Sequence, residues 1–371
     1  MAEKGKAAVF QGPGKGYEIQ EFDVPDPEPD AILIKISLGG VCGSDLHFWR
    51  GDSAAFAVMA GRVGGHEMTG RVAKLGAHIS TDSLGQPLNE GDRVCYAYFY
   101  PCNRCYQCNR GEFAACPNKL ARMMGGSSPF NGAYAEYYDL QPGHWVFKVP
   151  DELSDEMVAS VNCALSQVMF GLHEAGLRMG DTLVVQGAGG LGTNACAVAK
   201  EMGASQVIII DGVPGRLELA KQFGADHTID LNELATPEER VQRVMELTAG
   251  RGADVVGEFV GLPAVVPEGL AMVRNGGTYL EIGNISFGQS VEIDPSALVW
   301  GSKTIVGVTM YDPWVIPHAL DFLVRTKDKY PHEEVVSHDK YPLADINKAF
   351  EDAEWQRDGD ATKVRRAVIV P

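Results

Sequence analysis

The stretch Thr182 to Asp211, "TLVVQGAGGLGTNACAVAKEMGASQVIIID", constrains the fold more than any other part of the chain. Two short apolar runs flank a helix-compatible segment, and Gly187, Gly189 and Gly192 stand at the first junction in the order G-x-G-x-x-G. Strand, turn, helix and strand over about thirty residues predict a β-α-β unit, since parallel strands need a crossover connection. Gly187 permits the tight turn, Gly189 lets the backbone approach a pyrophosphate, and Gly192 lets helix and strand pack closely. Gly190 and Leu191 complete the turn at the helix's free N–H groups, where an anion is stabilised. Asp211 ends the second run, where a carboxylate can accept hydrogen bonds from an adenosine ribose and would repel a 2′-phosphate. The cofactor expected is therefore NAD rather than NADP, with Arg216, one helical turn on, offsetting part of the repulsion.

The same rhythm runs on through "RLELAKQFGA", "ADVVGEFVG", "GGTYLEIG" and "KTIVGV". Runs this short and apolar suit strands buried on both faces of a parallel sheet. Residues 161–305 are expected as one doubly wound domain of this kind. Before it, residues 1–160 read as short β-rich runs broken by Gly, Pro and Asp, such as "AILIKISLGGVCG" and "GDRVCYAYFY". After it, residues 306–371 lack an independent core and are expected to return to the first domain. The chain is thus an α/β protein of two domains, the first discontinuous.

Composition excludes several functions. A net charge of −17 opposes binding to nucleic acid or anionic membranes, both of which need a positive patch. No stretch is apolar enough to span a bilayer, and "MAEKGKAAVF" has no signal-peptide core, so a cytoplasmic protein is expected. In that reducing setting the 8 cysteines point to metal rather than disulfides.

Four of them, Cys102, Cys105, Cys108 and Cys116, follow C-x2-C-x2-C-x7-C in a polar lobe at about residues 95–118. That spacing lets four thiolates close a tetrahedral, structural zinc site. An iron–sulfur cluster is the competing reading, but the bacterial ferredoxin run has three residues before its last cysteine, not seven. Cys95 and Cys196 lie in apolar patterns and are expected in cores. "VCGSDLH" at 41–47 and "GGHEMTG" at 64–70 add a thiolate, Cys42, and an imidazole, His66. Cys163, at the boundary where the dinucleotide domain begins, is a third candidate ligand, and three protein ligands leave a fourth zinc position open.

In this order the motifs resemble those of zinc alcohol dehydrogenases of the medium-chain superfamily, over nearly the whole chain. The resemblance implies a GroES-like β-rich catalytic domain plus a Rossmann domain. It also implies two zinc ions per chain, the catalytic one held by Cys42, His66 and Cys163, with Glu67 as an alternate ligand or a neighbour of the ligands. Ser44 is expected to bond the alcohol and His47 to pass its proton through the cofactor ribose to solvent, a role suited to a group titrating near neutral pH. Ile282 and Arg366 are expected among the cofactor contacts. Arg366 takes the pyrophosphate, which Gly43 cannot serve, although a slip of one residue would give that role to Arg365.

Trp49 and Tyr98, with Phe56 and Met59 nearby, match positions lining the family's alcohol pocket. They suggest a bulky, cyclic or terpenoid-like secondary alcohol and its ketone. A polyol or amino-alcohol dehydrogenase is the alternative, although polyol enzymes usually place a glutamate in the region of Cys163. A non-enzymatic NAD-binding regulator would not need Ser44 and His47 beside an open metal position. Resemblance further implies a homodimer or homotetramer joined through the Rossmann sheets.

Overall fold

The structure, a computed structural model, describes residues 3–121, 128–336, 340–354 and 366–371. The chain forms two compact units, Met1–Ser166 with Asp312–Pro371, and Gln167–Tyr311.

In the first unit, β1 (Lys4–Phe10) and β2 (Tyr17–Asp23) form an antiparallel pair. A larger sheet is built around β3 (Ile32–Gly40), with β4 (Glu67–Leu75), β5 (Arg93–Tyr96), β6 (Tyr137–Leu140) and β7 (Val146–Lys148). β3 pairs antiparallel with β4 and β6, and β5 lies between β4 and β7. β3 is buried on both faces for most of its length, with Ile32, Leu33, Ile34, Ile36 and Leu38 inside and Lys35 exposed, as expected of a strand paired on both edges.

The second unit is one parallel sheet of six strands: β8 (Thr182–Gln186), β9 (Gln206–Asp211), β10 (His227–Asp230), β11 (Ala253–Glu258), β12 (Val273–Glu281) and β13 (Thr304–Gly307). Their order is β10-β9-β8-β11-β12-β13, the doubly wound arrangement in which the connections reverse direction between β8 and β11. Val184, Ile208, Ile210, Val256 and Tyr279 form its core with residues of the helices packed on the sheet. The runs of apolar residues are buried because the sheet is covered, as expected of parallel strands.

The later segment returns to the first unit. β14 (Lys340–Pro342) and β15 (Val368–Val370) are parallel to each other, and β15 adds antiparallel to β3 at Gly39 and Gly40. Cys95 and Cys196 are fully buried core residues. Among the described residues no helix is long and apolar enough to cross a membrane.

Candidate active site

The pairing of β3 with β4 decides where the site lies. Gly40 faces Glu67 across the pair, so the chain leaving β3 and the chain entering β4 meet at one end of the sheet. Cys42 and His66 lie just beyond that end. Cys42 caps the helix Gly43–Arg50, whose free N–H groups favour a thiolate. Its own backbone N–H donates to Asp45 Oδ2 at 2.9 Å, closing the first turn.

Cys163 arrives from a π-helical turn, Val161–Leu165, a geometry frequent at functional sites. The neighbouring Asn162, fully buried, accepts from the Met68 N–H at 3.2 Å and donates to the His66 carbonyl at 3.1 Å. Those two bonds hold the π turn against the start of β4. As a result Cys163 Sγ lies 3.2 Å from His66 Nε2 and 4.0 Å from Cys42 Sγ.

Cys42, His66, Glu67 and Cys163 each offer a ligand atom within 4.8 Å of the others. Tetrahedral zinc with ordinary bond lengths needs sulfur–sulfur edges of about 3.8 Å and sulfur–nitrogen edges of about 3.6 Å, so the donor set fits the ion. The hydrogen bond between the two thiols pulls Cys42 well below the usual thiol range and pushes Cys163 well above it. Burial disfavours the His66 cation, but the Asp45 carboxylate, 3.5 Å from its Nδ1, outweighs burial and raises its pKa well above the usual value. Asp45 also accepts from the Tyr134 hydroxyl at 2.8 Å, so its position is fixed from two sides.

Glu67 is wholly buried, and burial pushes its carboxyl up to about 8. Its Oε1 accepts from Arg366 Nη2 at 2.6 Å, while its Oε2 has no hydrogen-bond partner among the described residues. Arg366, expected on a pyrophosphate, is 7% exposed and engaged with Glu67 inside the first unit. Its Nη1 has no hydrogen-bond partner among the described residues. Arg365 lies outside the described residues.

Ser44 Oγ is 3.5 Å from His66 Nε2, beside the nitrogen that faces Cys163. His47 is buried, one turn further along the helix, with Nδ1 2.6 Å from Asp52 Oδ2. Tyr98 packs its ring on that of His66, centroids 4.8 Å apart. Trp49, expected with Tyr98 in an alcohol pocket, packs on Phe350 at 6.0 Å, at the margin of an aromatic cluster with Tyr17 and Tyr134. Helical spacing turns Trp49 away from the face that carries Ser44 and His47. Phe56 is buried against Phe48 at 4.6 Å, and Met59 ends the short helix Ala54–Met59.

Cys102, Cys105, Cys108 and Cys116 form the second cluster of ligand atoms within 4.8 Å. Cys105 Sγ is 3.4 Å from Cys108 Sγ and 3.8 Å from Cys116 Sγ. Backbone N–H groups of Cys102 and Cys108 point at sulfurs of the set, and Asn118 donates to Cys102. The Arg104 backbone N–H draws Cys102 down to about 6, whereas burial among its neighbours pushes Cys108 up to about 12.

The glycine turn lies between β8 and the helix Gly190–Glu201. A Cβ on Gly192 would lie 1.8 Å from the Gly187 carbonyl oxygen, so no other residue lets helix and strand meet this closely. A Cβ on Gly189 would meet nothing within 4 Å, which leaves its backbone facing the open space a pyrophosphate needs. Asp211 ends β9 and accepts from the Ala188 N–H at 2.7 Å and the Val213 N–H at 2.8 Å. Those bonds fix its carboxylate at the turn, with Arg216 4.0 Å away. Ile282 follows β12, but its side chain is buried against Gly171, leaving only its backbone for a cofactor.

Three groups carried no assignment in the sequence reading. Asp45 stood inside a quoted motif, and its position three residues after a helix cap was the available signal. Asp52 and Glu258 had no such signal. Glu258 ends β11, beside the point where the sheet reverses direction; it accepts from the Val260 and Gly261 N–H groups at 2.6 Å each, and burial pushes it up to about 8.

Comparison with known proteins gives a consistent pattern. Residues 28–151 match the alcohol dehydrogenase GroES-like domain, and residues 190–325 the zinc-binding dehydrogenase family. The chain is similar to 5-exo-hydroxycamphor dehydrogenase of Pseudomonas putida, 34% identical over 90% of this chain and 92% of that one. It is 33% identical to the sorbitol dehydrogenase of Bacillus subtilis (strain 168) over 75% of this chain and 74% of the other. Among solved structures, an alcohol dehydrogenase from Thermotoga maritima superposes with a TM-score of 0.88 at 29% identity, covering 100% of both chains. Benzyl alcohol dehydrogenase from Acinetobacter calcoaceticus gives 0.84 at 27% identity, covering 99% of each.

Proposed function

Because the chain belongs to the zinc-dependent alcohol dehydrogenases of the medium-chain superfamily, we propose that it interconverts a bulky or cyclic secondary alcohol and its ketone with NAD. The observation that carries this is the meeting of Cys42, His66 and Cys163 with Ser44 beside His66. Cys42, His66 and Cys163 hold the catalytic zinc, which when bound supplies a Lewis acid that acidifies an alcohol hydroxyl. Ser44 receives the hydroxyl proton and His47 delivers it toward solvent. Glu67, its Oε1 held by Arg366, stands behind the three ligands as an alternate ligand or their neighbour. Cys102, Cys105, Cys108 and Cys116 hold a second zinc that stabilises a lobe too polar to build its own core.

For the cofactor, Gly187, Gly189 and Gly192 receive the pyrophosphate and Asp211 the adenosine ribose. Asp211 selects NAD, because its carboxylate, fixed by two backbone N–H groups, would face a 2′-phosphate. Replacing it by serine is expected to narrow the NAD preference about tenfold or more, read as the ratio of kcat/KM for NAD and NADP.

For the substrate, the Tyr98 ring on His66 gives an apolar wall near the metal, and the similarity to a hydroxycamphor dehydrogenase supports a bulky ring. The polyol reading draws on the sorbitol dehydrogenase similarity. Cys163 favours the first reading. An alcohol panel with NAD, run beside metal analysis, separates the two: fast turnover of sorbitol and none of cyclic alcohols would overturn the bulky-alcohol assignment.

A homodimer fits the second unit, where β13 is an edge strand. Ile305 on that strand is exposed, as are Val299 and Trp300 just before it, a patch that a second copy would cover. Trp300→Glu is expected to halve the mass seen by light scattering.

A further inference from the structure

We propose that Asp52 is the positioning residue of His47, holding the imidazole in the tautomer whose Nε2 can accept the proton released when the alcohol is oxidised. The inference rests on the alcohol dehydrogenase reading, since it assigns a role within that reaction.

The local backbone brings the two residues together. His47 is in the last turn of the helix Gly43–Arg50. Gly51 ends that helix in the left-handed region, φ 78°, and its N–H bonds to the carbonyls of His47 and Phe48 at 3.1 and 3.2 Å. A side chain here would also run into Pro13, 2.6 Å from a Cβ, so glycine is required. The reversal lets the Asp52 N–H reach the His47 carbonyl at 3.1 Å, and the Asp52 carboxylate then lies level with the imidazole.

The protonation state follows from donors and acceptors. Facing His47 Nδ1 are Asp52 Oδ2 at 2.6 Å, which only accepts, and Arg50 Nη2 at 3.2 Å, which only donates; the carboxylate contact is much the shorter and Arg50 Nη2 has Asp52 Oδ2 nearer, at 2.8 Å, so Nδ1 carries the hydrogen. Neutral His47 therefore keeps its lone pair on Nε2. Asp52 is held ionised by Arg50. Its Nε lies 3.1 Å from both Asp52 oxygens and its Nη2 2.8 Å from Oδ2. Although burial favours the acid form, Arg50 outweighs it and lowers the Asp52 carboxyl below its usual value.

Arg50 is anchored in turn. Its Nη1 donates to both oxygens of Glu354 at 2.9 Å, from the segment after the helix Ile346–Ala353. With His47 neutral, Arg50, Asp52 and Glu354 together carry one negative charge. A proton on His47 offsets that charge, which favours the cation while the proton passes. Burial and Arg50 oppose the cation, Asp52 and Cys42 favour it, and the balance holds the His47 pKa below its usual value. The imidazole is therefore ready to accept near neutral pH. In oxidation the carbinol hydrogen leaves as hydride to NAD, the hydroxyl proton reaches Nε2, and water then takes it, so atoms and charge balance.

Two readouts test this. The first is the 15N spectrum of the His47 ring in the intact protein, which is independent of turnover. Nδ1–H is expected in the wild type and Nε2–H in Asp52→Asn, whose amide can donate to Nδ1. Nε2–H in the wild type would overturn the proposal. The second is the pH dependence of alcohol oxidation. Asp52→Asn is expected to lower kcat about ten- to a hundredfold at pH 7, within the range general-base catalysis supplies, with KM for NAD unchanged. The deficit should shrink at high pH, where solvent accepts the proton directly. Asp52→Glu should restore most of the rate. Adding Asp52→Asn to His47→Gln should cost nothing more, because a positioning residue has no effect without the group it positions. Full multiplicative loss in the double variant, or a loss that only tracks melting temperature, would show that Asp52 is structural. A wild type that binds NAD and shows Nδ1–H but oxidises no alcohol would overturn the proposed reaction and leave the tautomer assignment standing.

Discussion

The two thiol clusters of the first unit solve the same coordination problem with different parts of the chain. Cys102 and Cys116 are 14 positions apart, while Cys42 and Cys163 are 121 apart. The lobe cysteines are surrounded by their own backbone, and Cys102 and Cys105 are partly exposed. The other cluster is enclosed by side chains with further tasks: Asp45 on His66, Arg366 on Glu67, Tyr134 on Asp45 and Asn162 on the backbone of His66 and Met68. A local cluster needs its metal in order to fold. A distant one is assembled by the rest of the fold, which would leave its metal available for chemistry.

Four substitutions probe that contrast. Cys163→Ser should lower kcat/KM about a thousandfold or more and remove one zinc equivalent, with the melting temperature within a few degrees of wild type. Loss of both zinc ions and of folding would collapse the distinction. Cys105→Ser should release the other zinc and lower the melting temperature by about 10 °C, as expected for loss of several kcal/mol in a unit this large. Turnover per folded molecule should stay within a fewfold; an equal loss of activity would give the lobe a part in the chemistry.

Asp45→Asn should loosen the catalytic zinc about ten- to a hundredfold against a chelator, because neighbours that orient metal-bound histidines carry that much affinity. The lobe zinc should be unaffected. Tyr134→Phe removes one hydrogen bond onto Asp45, about 1 to 2 kcal/mol, and should shift the same chelation curve by about tenfold or less. A Tyr134→Phe effect larger than that of Asp45→Asn would mean that Tyr134 acts on something other than Asp45.

The same contrast explains what was legible in the sequence. The doubly wound sheet was legible because each strand and turn carries its own local signature, from Gly192 packing on Gly187 to Asp211 closing β9. The lobe was legible because its spacing is itself the geometry. Cys42, His66 and Cys163 were legible as one ligand set only through the family resemblance, since their meeting depends on the β3–β4 register and on Asn162 bridging 94 positions to Met68. The pairing of Arg366 with Glu67 crosses 299 positions and left no trace in either motif. The contact of Trp49 with Phe350 was not legible, because sequence spacing gives a helix position but not which neighbouring ring will receive the side chain.

One consequence concerns biosynthesis. β15 and Arg366 follow the whole parallel-sheet unit in the chain, yet β15 pairs with β3 and Arg366 neutralises Glu67. A ribosome delivers the glycine turn, the six-stranded sheet and both thiol clusters before it delivers the arginine that balances the buried carboxylate. The second unit can therefore fold during translation, while the first remains open at one edge of β3 until synthesis has passed β15. The thiol cluster at the end of β3 is thus completed last, when Arg366 reaches Glu67.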